Sequence, residues 1–264
     1  MSALDPNVAR RALKARLRGR ERLFAAWTSF AHPGVTEIFT RAGVDFIGID
    51  VEHGTFSIEQ CRDVIAAAQA GGAPCLPRIA SHDAEPIKRL LDAGADGLIA
   101  PMVETPEAAA RIVSLMRYPP AGARSFGVAR AQGYGFDFAA YTTGWNDSAS
   151  FIAQIESQRG VENVEAILAV DGVDGVMVGP YDLSGSLGIP GQINAPAVRM
   201  ASARVADAAK AAGRACGSQI VELTAERVDQ TAADGTTFIV LSSDVFLLAE
   251  WSKAARALIA ARRD

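Results

Sequence analysis

Short apolar runs alternate with longer stretches of helical periodicity along almost the whole chain, and this rhythm constrains the fold more than any other feature. A parallel strand buried on both faces reads as a brief apolar run, and reaching the next strand requires a crossover helix. Strands are expected at 23–28, 46–50, 75–78, 97–100, 151–156, 175–178, 214–218 and 238–241. Helices are expected at 58–70, 84–91, 106–116, 161–168, 196–212 and 225–233, with a closing helix at 245–260. Many strands follow a turn containing glycine and aspartate: Ala42-Gly43-Val44-Asp45, Ala93-Gly94-Ala95-Asp96, Asp171-Gly172-Val173-Asp174. A helix that ends on a left-handed glycine and hands over to a buried strand produces such a turn. Eight units in 264 residues fit an α/β fold, a single (β/α)8 TIM barrel over 1–264, better than a doubly wound open sheet.

One interval breaks the rhythm. The gap between the fourth and fifth strands exceeds an ordinary βαβ unit by roughly 25–30 residues. Residues 118–145 fill it, rich in glycine and proline but interleaved with Phe126, Tyr134, Phe136, Phe138, Tyr141 and Trp145. So many aromatic residues argue against disorder and suit a lid or a subunit contact. The arginine-rich stretch 7–22, with Pro6 near its start, reads as a solvated leading helix rather than a transit peptide. A net charge of -4 gives no global attraction for nucleic acid or an anionic membrane, and no apolar run has spanning length. Cys61, Cys75 and Cys216 are widely spaced and read as reduced, buried thiols, with the cytoplasm as the default location.

In a (β/α)8 barrel, chemistry gathers at the C-terminal ends of the strands. There this chain places Asp50-Val51-Glu52-His53, Pro77-Arg78, Gln154-Ile155-Glu156 and Gly179-Pro180-Tyr181-Asp182. Period-two alternation puts Gln154 and Glu156 on one face. Carboxylates ending two adjacent strands, without a cysteine or a histidine pair nearby, suit Mg²⁺, Mn²⁺ or Co²⁺ completed by waters. The plainer alternatives are an ion-paired strand end for Glu156 and a helix N-cap for Asp182. Arg78 could fork a carboxylate, and His53, between Glu52 and Gly54, could be oriented and tuned by an adjacent acid to act as a base. The lysines, Lys14, Lys88, Lys210 and Lys253, all fall in expected helices, which disfavours a Schiff base at a strand end. The glycine-rich run 185–191 lacks the spacing of a phosphate cradle.

Taken together, Asp50-Val51-Glu52-His53, Pro101-Met102-Val103, Arg117-Tyr118-Pro119-Pro120-Ala121-Gly122-Ala123-Arg124, Gln154-Ile155-Glu156 and the run from Gly172 to Ser184 resemble the HpcH/HpaI family, the class II pyruvate aldolases. The resemblance implies a barrel whose last helix is swapped between subunits, in hexamers built as trimers of dimers. It implies that Glu156 and Asp182 bind a divalent cation, that Arg78 polarises a keto oxygen, and that His53, oriented by Asp50, moves a proton. Asp92 would reach into this site from a neighbouring subunit, while Trp27, Gln154, Pro180 and Tyr181 would line it. The activity implied is reversible cleavage of a 4-hydroxy-2-oxo acid to pyruvate, or a related 2-oxo acid such as hydroxypyruvate, and an aldehyde. Decarboxylation of oxaloacetate, or condensation as in citrate- or macrophomate-forming enzymes, is the alternative. Tyr181 departs from the small residue found in many relatives, and 125–135 has its own character. Arg130, within that stretch, could bind a distal substrate carboxylate or pair within the lid.

Overall fold

The computed structural model describes residues 7–263. Eight parallel strands close a barrel in chain order: β1 (Leu23–Thr28), β2 (Phe46–Asp50), β3 (Cys75–Arg78), β4 (Gly97–Ala100), β5 (Ser150–Ile155), β6 (Gly175–Val178), β7 (Ala215–Ile220) and β8 (Phe238–Ser243). Between and around them run α1 (Val8–Arg18), α2 (Pro33–Thr40), α3 (Ile58–Ala70), α4 (Ala84–Asp92), α5 (Pro106–Met116) and α6 (Phe138–Ser148). They are followed by α7 (Gln158–Glu162), α8 (Val164–Leu168), α9 (Pro180–Ser186), α10 (Pro196–Ala211), α11 (Ala225–Ala233) and α12 (Asp244–Ala260). The expected strands are all present. β7 and β8 run two residues further than the apolar pattern suggests, because their last turns carry Gln219, Ser242 and Ser243 towards the polar rim. The helix expected at 161–168 is broken at Asn163 into α7 and α8.

Inward side chains fill the barrel: Leu23, Ala25 and Trp27 from β1, then Phe46, Leu76, Ile99, Ile152, Met177, Ala215, Phe238 and Val240. Leu13 and Leu17 belong to the same cluster, so α1 plugs the N-terminal mouth of the barrel instead of standing in solvent. This corrects the solvated-helix expectation. The basic residues of α1 meet aspartates placed at the starts of alternate strands: Arg10–Asp96 at 2.7 Å, Lys14–Asp174 at 2.9 Å and Arg16–Asp45 at 2.5 Å. Each aspartate also accepts a backbone N–H from the preceding strand: Phe24 to Asp45, Cys75 to Asp96, Phe151 to Asp174. At the fourth such position Thr237 accepts from Cys216 N–H through its hydroxyl. The glycine–aspartate turns seen in the sequence therefore serve as strand clamps as well as helix terminators. Lys14 and Asp174 are both buried, and removing one partner of a buried pair generally costs about 3–5 kcal/mol. The N-terminal end is the stabilising face, leaving the opposite rim free for chemistry.

The stretch between α5 and β5 lies at this stabilising end. Arg124 is buried against the rings of Tyr118, Tyr141 and Trp145, at 4.6, 5.5 and 4.5 Å, and donates to Asp92 at the end of α4. Arg10 of α1 stacks on Tyr141 at 4.9 Å. Trp145 Nε1 donates to the Met116 carbonyl at 2.7 Å, tying α6 to α5. The segment expected as a lid is thus folded on the N-terminal side of its own barrel, because α5 has already returned the chain there. At the other extreme, α12 carries its apolar residues outward: Leu248 is 52% exposed, Trp251 68% and Leu258 57%.

Candidate active site

β2 and β3 deliver the first half of the rim. Their register sets Asp50 beside Arg78. Arg78 donates to Asp50 Oδ1 from Nη2 at 2.8 Å and from Nε at 3.2 Å, and its Nε lies 3.1 Å from Glu52 Oε2. The guanidinium covers the Trp27 ring at 5.2 Å, and Nη1 reaches Gln154 Oε1 at 3.5 Å. Packing, ion pairs and one stacked ring therefore hold a largely buried cation in a single direction. Asp50 Oδ1 also accepts the backbone N–H of His53 at 3.2 Å. The His53 imidazole is 67% exposed, with Nε2 at 3.6 Å from Glu52 Oε2. Asp50 thus fixes the histidine's backbone, while Glu52 is the carboxylate near its ring.

β5 and β6 deliver the second half. Glu156 is buried, accepting from Met102 N–H at 2.7 Å and from Gln154 Nε2 at 2.5 Å. Met102 has φ +50, a left-handed conformation uncommon for a side chain of its size, which turns its N–H to the carboxylate. A Cβ on Gly179 would run into Glu156 Oε2, so only glycine lets the chain pass this close. Gly179 is the N-cap of α9, and Asp182 sits within its first turn, exposed, with no side-chain hydrogen bond to the helix. The N-cap alternative for Asp182 is not realised. Likewise Glu156 is no ion-paired strand end, since its partners are an amide and a backbone N–H.

Charge is unbalanced across this rim. Asp50, Glu52, Glu156 and Asp182 are four carboxylates facing one guanidinium. Burial pushes the Glu156 carboxyl up; the bonds from Gln154 and Met102 pull it back, and the charges of Asp182 and Glu52 push it up again. Burial also raises Glu52, against the attraction of Arg78 and His53. Among the described residues no group of three or more histidine, cysteine, aspartate or glutamate side chains is assembled as a metal cage. Two carboxylates fit a hard cation that keeps several waters or takes substrate oxygens. An added positive charge between Glu156 and Asp182 would also relieve their mutual repulsion.

Of the residues singled out in the sequence, Trp27, Asp50, Arg78, Gln154 and Glu156 form one connected network. His53, Pro180, Tyr181 and Asp182 stand on its open side, Tyr181 being 68% exposed. Asp92 and Arg130 lie elsewhere. Asp92 pairs with Arg124, and Arg130 donates to the Ala93 carbonyl and to Gln69 Oε1, all at the N-terminal end. The sequence offers Glu52 only a place beside His53, not its contact with Arg78, and assigns the Met102 backbone no part. Glu52 was legible as the residue two beyond Asp50, but the Met102 N–H depends on a backbone conformation that no residue type announces.

A (β/α)8 barrel with a polar, acid-rich C-terminal rim and a buried, stabilised N-terminal end has the layout of a barrel enzyme, with its site at the C-terminal ends of the strands. The chain belongs to the HpcH/HpaI aldolase/citrate lyase family, whose model matches residues 23–250. It is 36% identical over 241 residues to the hydroxypyruvate/pyruvate aldolase of Roseobacter denitrificans, covering 89% of this chain and 91% of that protein. It is 37% identical over 241 residues to the 4-hydroxy-2-oxovalerate aldolase of Novosphingobium aromaticivorans, covering 90% of each. A solved HpcH/HpaI aldolase/citrate lyase family protein from Burkholderia cenocepacia superposes with a TM-score of 0.87 at 36% identity, over 94% of this chain and 99% of that one.

The raised Glu156 carboxyl would set a pH dependence for any cation bound beside it. Binding requires the carboxylate, so protons compete at a higher pH than they would at an ordinary glutamate. Calorimetric titration with Mn²⁺ is expected to show affinity falling as pH drops from neutrality towards the glutamate range, with Glu156→Gln abolishing most of it. Equal affinity across that range in the wild type would contradict this site.

Proposed function

We propose that the protein is a class II aldolase, reversibly cleaving a 4-hydroxy-2-oxo acid to pyruvate or a related 2-oxo acid and an aldehyde. The observation that carries this reading is the acid-rich rim around a fixed, buried Arg78. Glu156 and Asp182 would hold a divalent cation, Mg²⁺, Mn²⁺ or Co²⁺. Bound there, it would supply Lewis-acid polarisation of the keto oxygen. Arg78 donates to the same oxygen, where negative charge develops as the bond to the aldehyde carbon breaks. In that step the C3–C4 electron pair becomes the C2–C3 double bond of the enolate. The C4 hydroxyl proton leaves to a base as the aldehyde carbonyl forms, and a proton returned to C3 completes the 2-oxo acid. His53 is the base, on the open side of the rim where a substrate hydroxyl can reach it. Gln154 bridges Arg78 and Glu156, accepting from one and donating to the other, and Trp27 walls the pocket beneath the guanidinium.

The assembly is part of the same reading. Phe24, Leu223, Ala225, Val228 and Leu241, with Thr224 and Asp229, line a shallow open groove between α11 and the barrel. In a barrel of this topology the helix after β8 packs beside that place, yet α12 holds its apolar face outward. A second copy's α12 would fill it, giving a helix-swapped dimer and, from such dimers, a hexamer. Asp92, remote from its own rim and partly exposed, would then be available to a neighbour's site, whereas Arg130 is held by the Ala93 carbonyl and Gln69. Sedimentation of the native protein is expected to show an even multiple of the protomer; a monomer would contradict the swap.

The reaction itself is tested with a 4-hydroxy-2-oxo acid. Pyruvate release is expected, abolished by EDTA and restored by Mn²⁺ or Mg²⁺, with no enzyme trapped by borohydride. Cleavage that survives exhaustive chelation, or a borohydride-trapped lysine, would overturn the proposal.

A further inference from the structure

β7 carries a residue that neither the packing nor the proposed chemistry has used. Gly217 faces the barrel interior, where a Cβ would run into the Phe238 ring. Gln219, two positions on, faces the same way and pairs in register with Val240 of the interior cluster. Inward side chains of such barrels stack in layers of four, each layer drawn from alternate strands. Trp27 of β1, Arg78 of β3 and Gln154 of β5 already touch as one layer. β7 is the remaining strand of that set, and Gln219 is its inward residue nearest the rim.

The other polar members of the layer are engaged: Arg78 with Asp50, Glu52 and Gln154, and Gln154 with Glu156. Among the described residues the Gln219 side chain has no hydrogen-bond partner, and its Nε2 is buried without one. Native interiors rarely leave such a donor unpaired. The side chain is half-buried and unpaired, and a half-turn about its last bond exchanges the amide nitrogen and oxygen, so either can be presented to the open side. An amide N–H2 seeks an oxygen.

The proposed reaction places the carboxyl and keto oxygens on the side of Arg78, Glu156 and Asp182, leaving the rest of the substrate towards β7. Resting on that reading, we infer that Gln219 is a specificity residue that donates to a hydroxyl oxygen beyond the keto-acid head of the substrate. That oxygen has two possible sources: an acceptor aldehyde bearing a neighbouring hydroxyl, or C3 of a hydroxylated 2-oxo acid such as hydroxypyruvate. A site built around such a bond discriminates against analogues lacking the oxygen.

The test compares wild type with Gln219→Leu, which is similar in size but donates nothing. Three condensations are measured: pyruvate with propionaldehyde, pyruvate with glycolaldehyde, and hydroxypyruvate with propionaldehyde. In one hydroxylated arm kcat/KM, taken as a ratio to the first condensation, is expected to fall about tenfold, the loss typical of one hydrogen bond. A fall confined to glycolaldehyde assigns the oxygen to the acceptor; a fall confined to hydroxypyruvate assigns it to the 2-oxo acid. Unchanged ratios in both arms overturn the inference. Deuterium exchange at the pyruvate methyl, measured in both proteins, separates the two levels. Wild type that fails to exchange with metal present overturns the enolate reading and this inference with it, whereas exchange with unchanged ratios overturns the role of Gln219 alone.

Discussion

The ion pair between Arg78 and Asp50, extended to Glu52 and Gln154 and backed by the Trp27 ring, is the contact around which the rim is organised. It joins β2, β3, β5 and β1 through side chains at the level where their backbones part from the barrel. A guanidinium so enclosed cannot swing away, and its direction is fixed before any substrate arrives. Preorganisation of this kind is worth more than the same charge on a mobile stem, because no reorganisation is needed as charge develops. The same enclosure creates the surplus of carboxylates that a cation would satisfy.

Such a concentration of like charge is unfavourable, and the barrel offsets it at its other end. There Asp45, Asp96 and Asp174 each tie a neighbouring strand to a basic residue of α1, with Thr237 repeating the backbone half of the device. Leu13 and Leu17 close the mouth beneath the interior side chains. Stability and chemistry are therefore separated along the barrel axis. The aromatic cluster around Arg124 widens the stable end and leaves Phe126 and Phe136 exposed on it.

The fold was legible because the β/α units repeat an apolar run and a helix, with a glycine–aspartate turn before three of the strands. Most of the rim was legible too, since polar residues ending apolar strands have few structural uses. What escaped were relations that depend on the chain's path in space. The basic residues of α1 read as a solvated face because their aspartate partners, such as Asp174, lie far away in sequence. The 118–145 insertion read as a lid or a subunit contact because its aromatic content was visible but its end of the barrel was not. Gln219, just past the expected end of its strand, went unremarked, as its interest lies in a missing partner.

The central claim is that this rim makes an enolate from a 2-oxo acid with the help of a cation held by Glu156 and Asp182. Exchange of the pyruvate methyl protons for deuterium, followed by NMR, tests it without knowledge of the aldehyde. Exchange that requires Mn²⁺ or Mg²⁺ and is lost in Glu156→Gln is the result expected. Wild-type protein that leaves the methyl group unexchanged with metal present, or exchanges it equally well after chelation, would contradict the account.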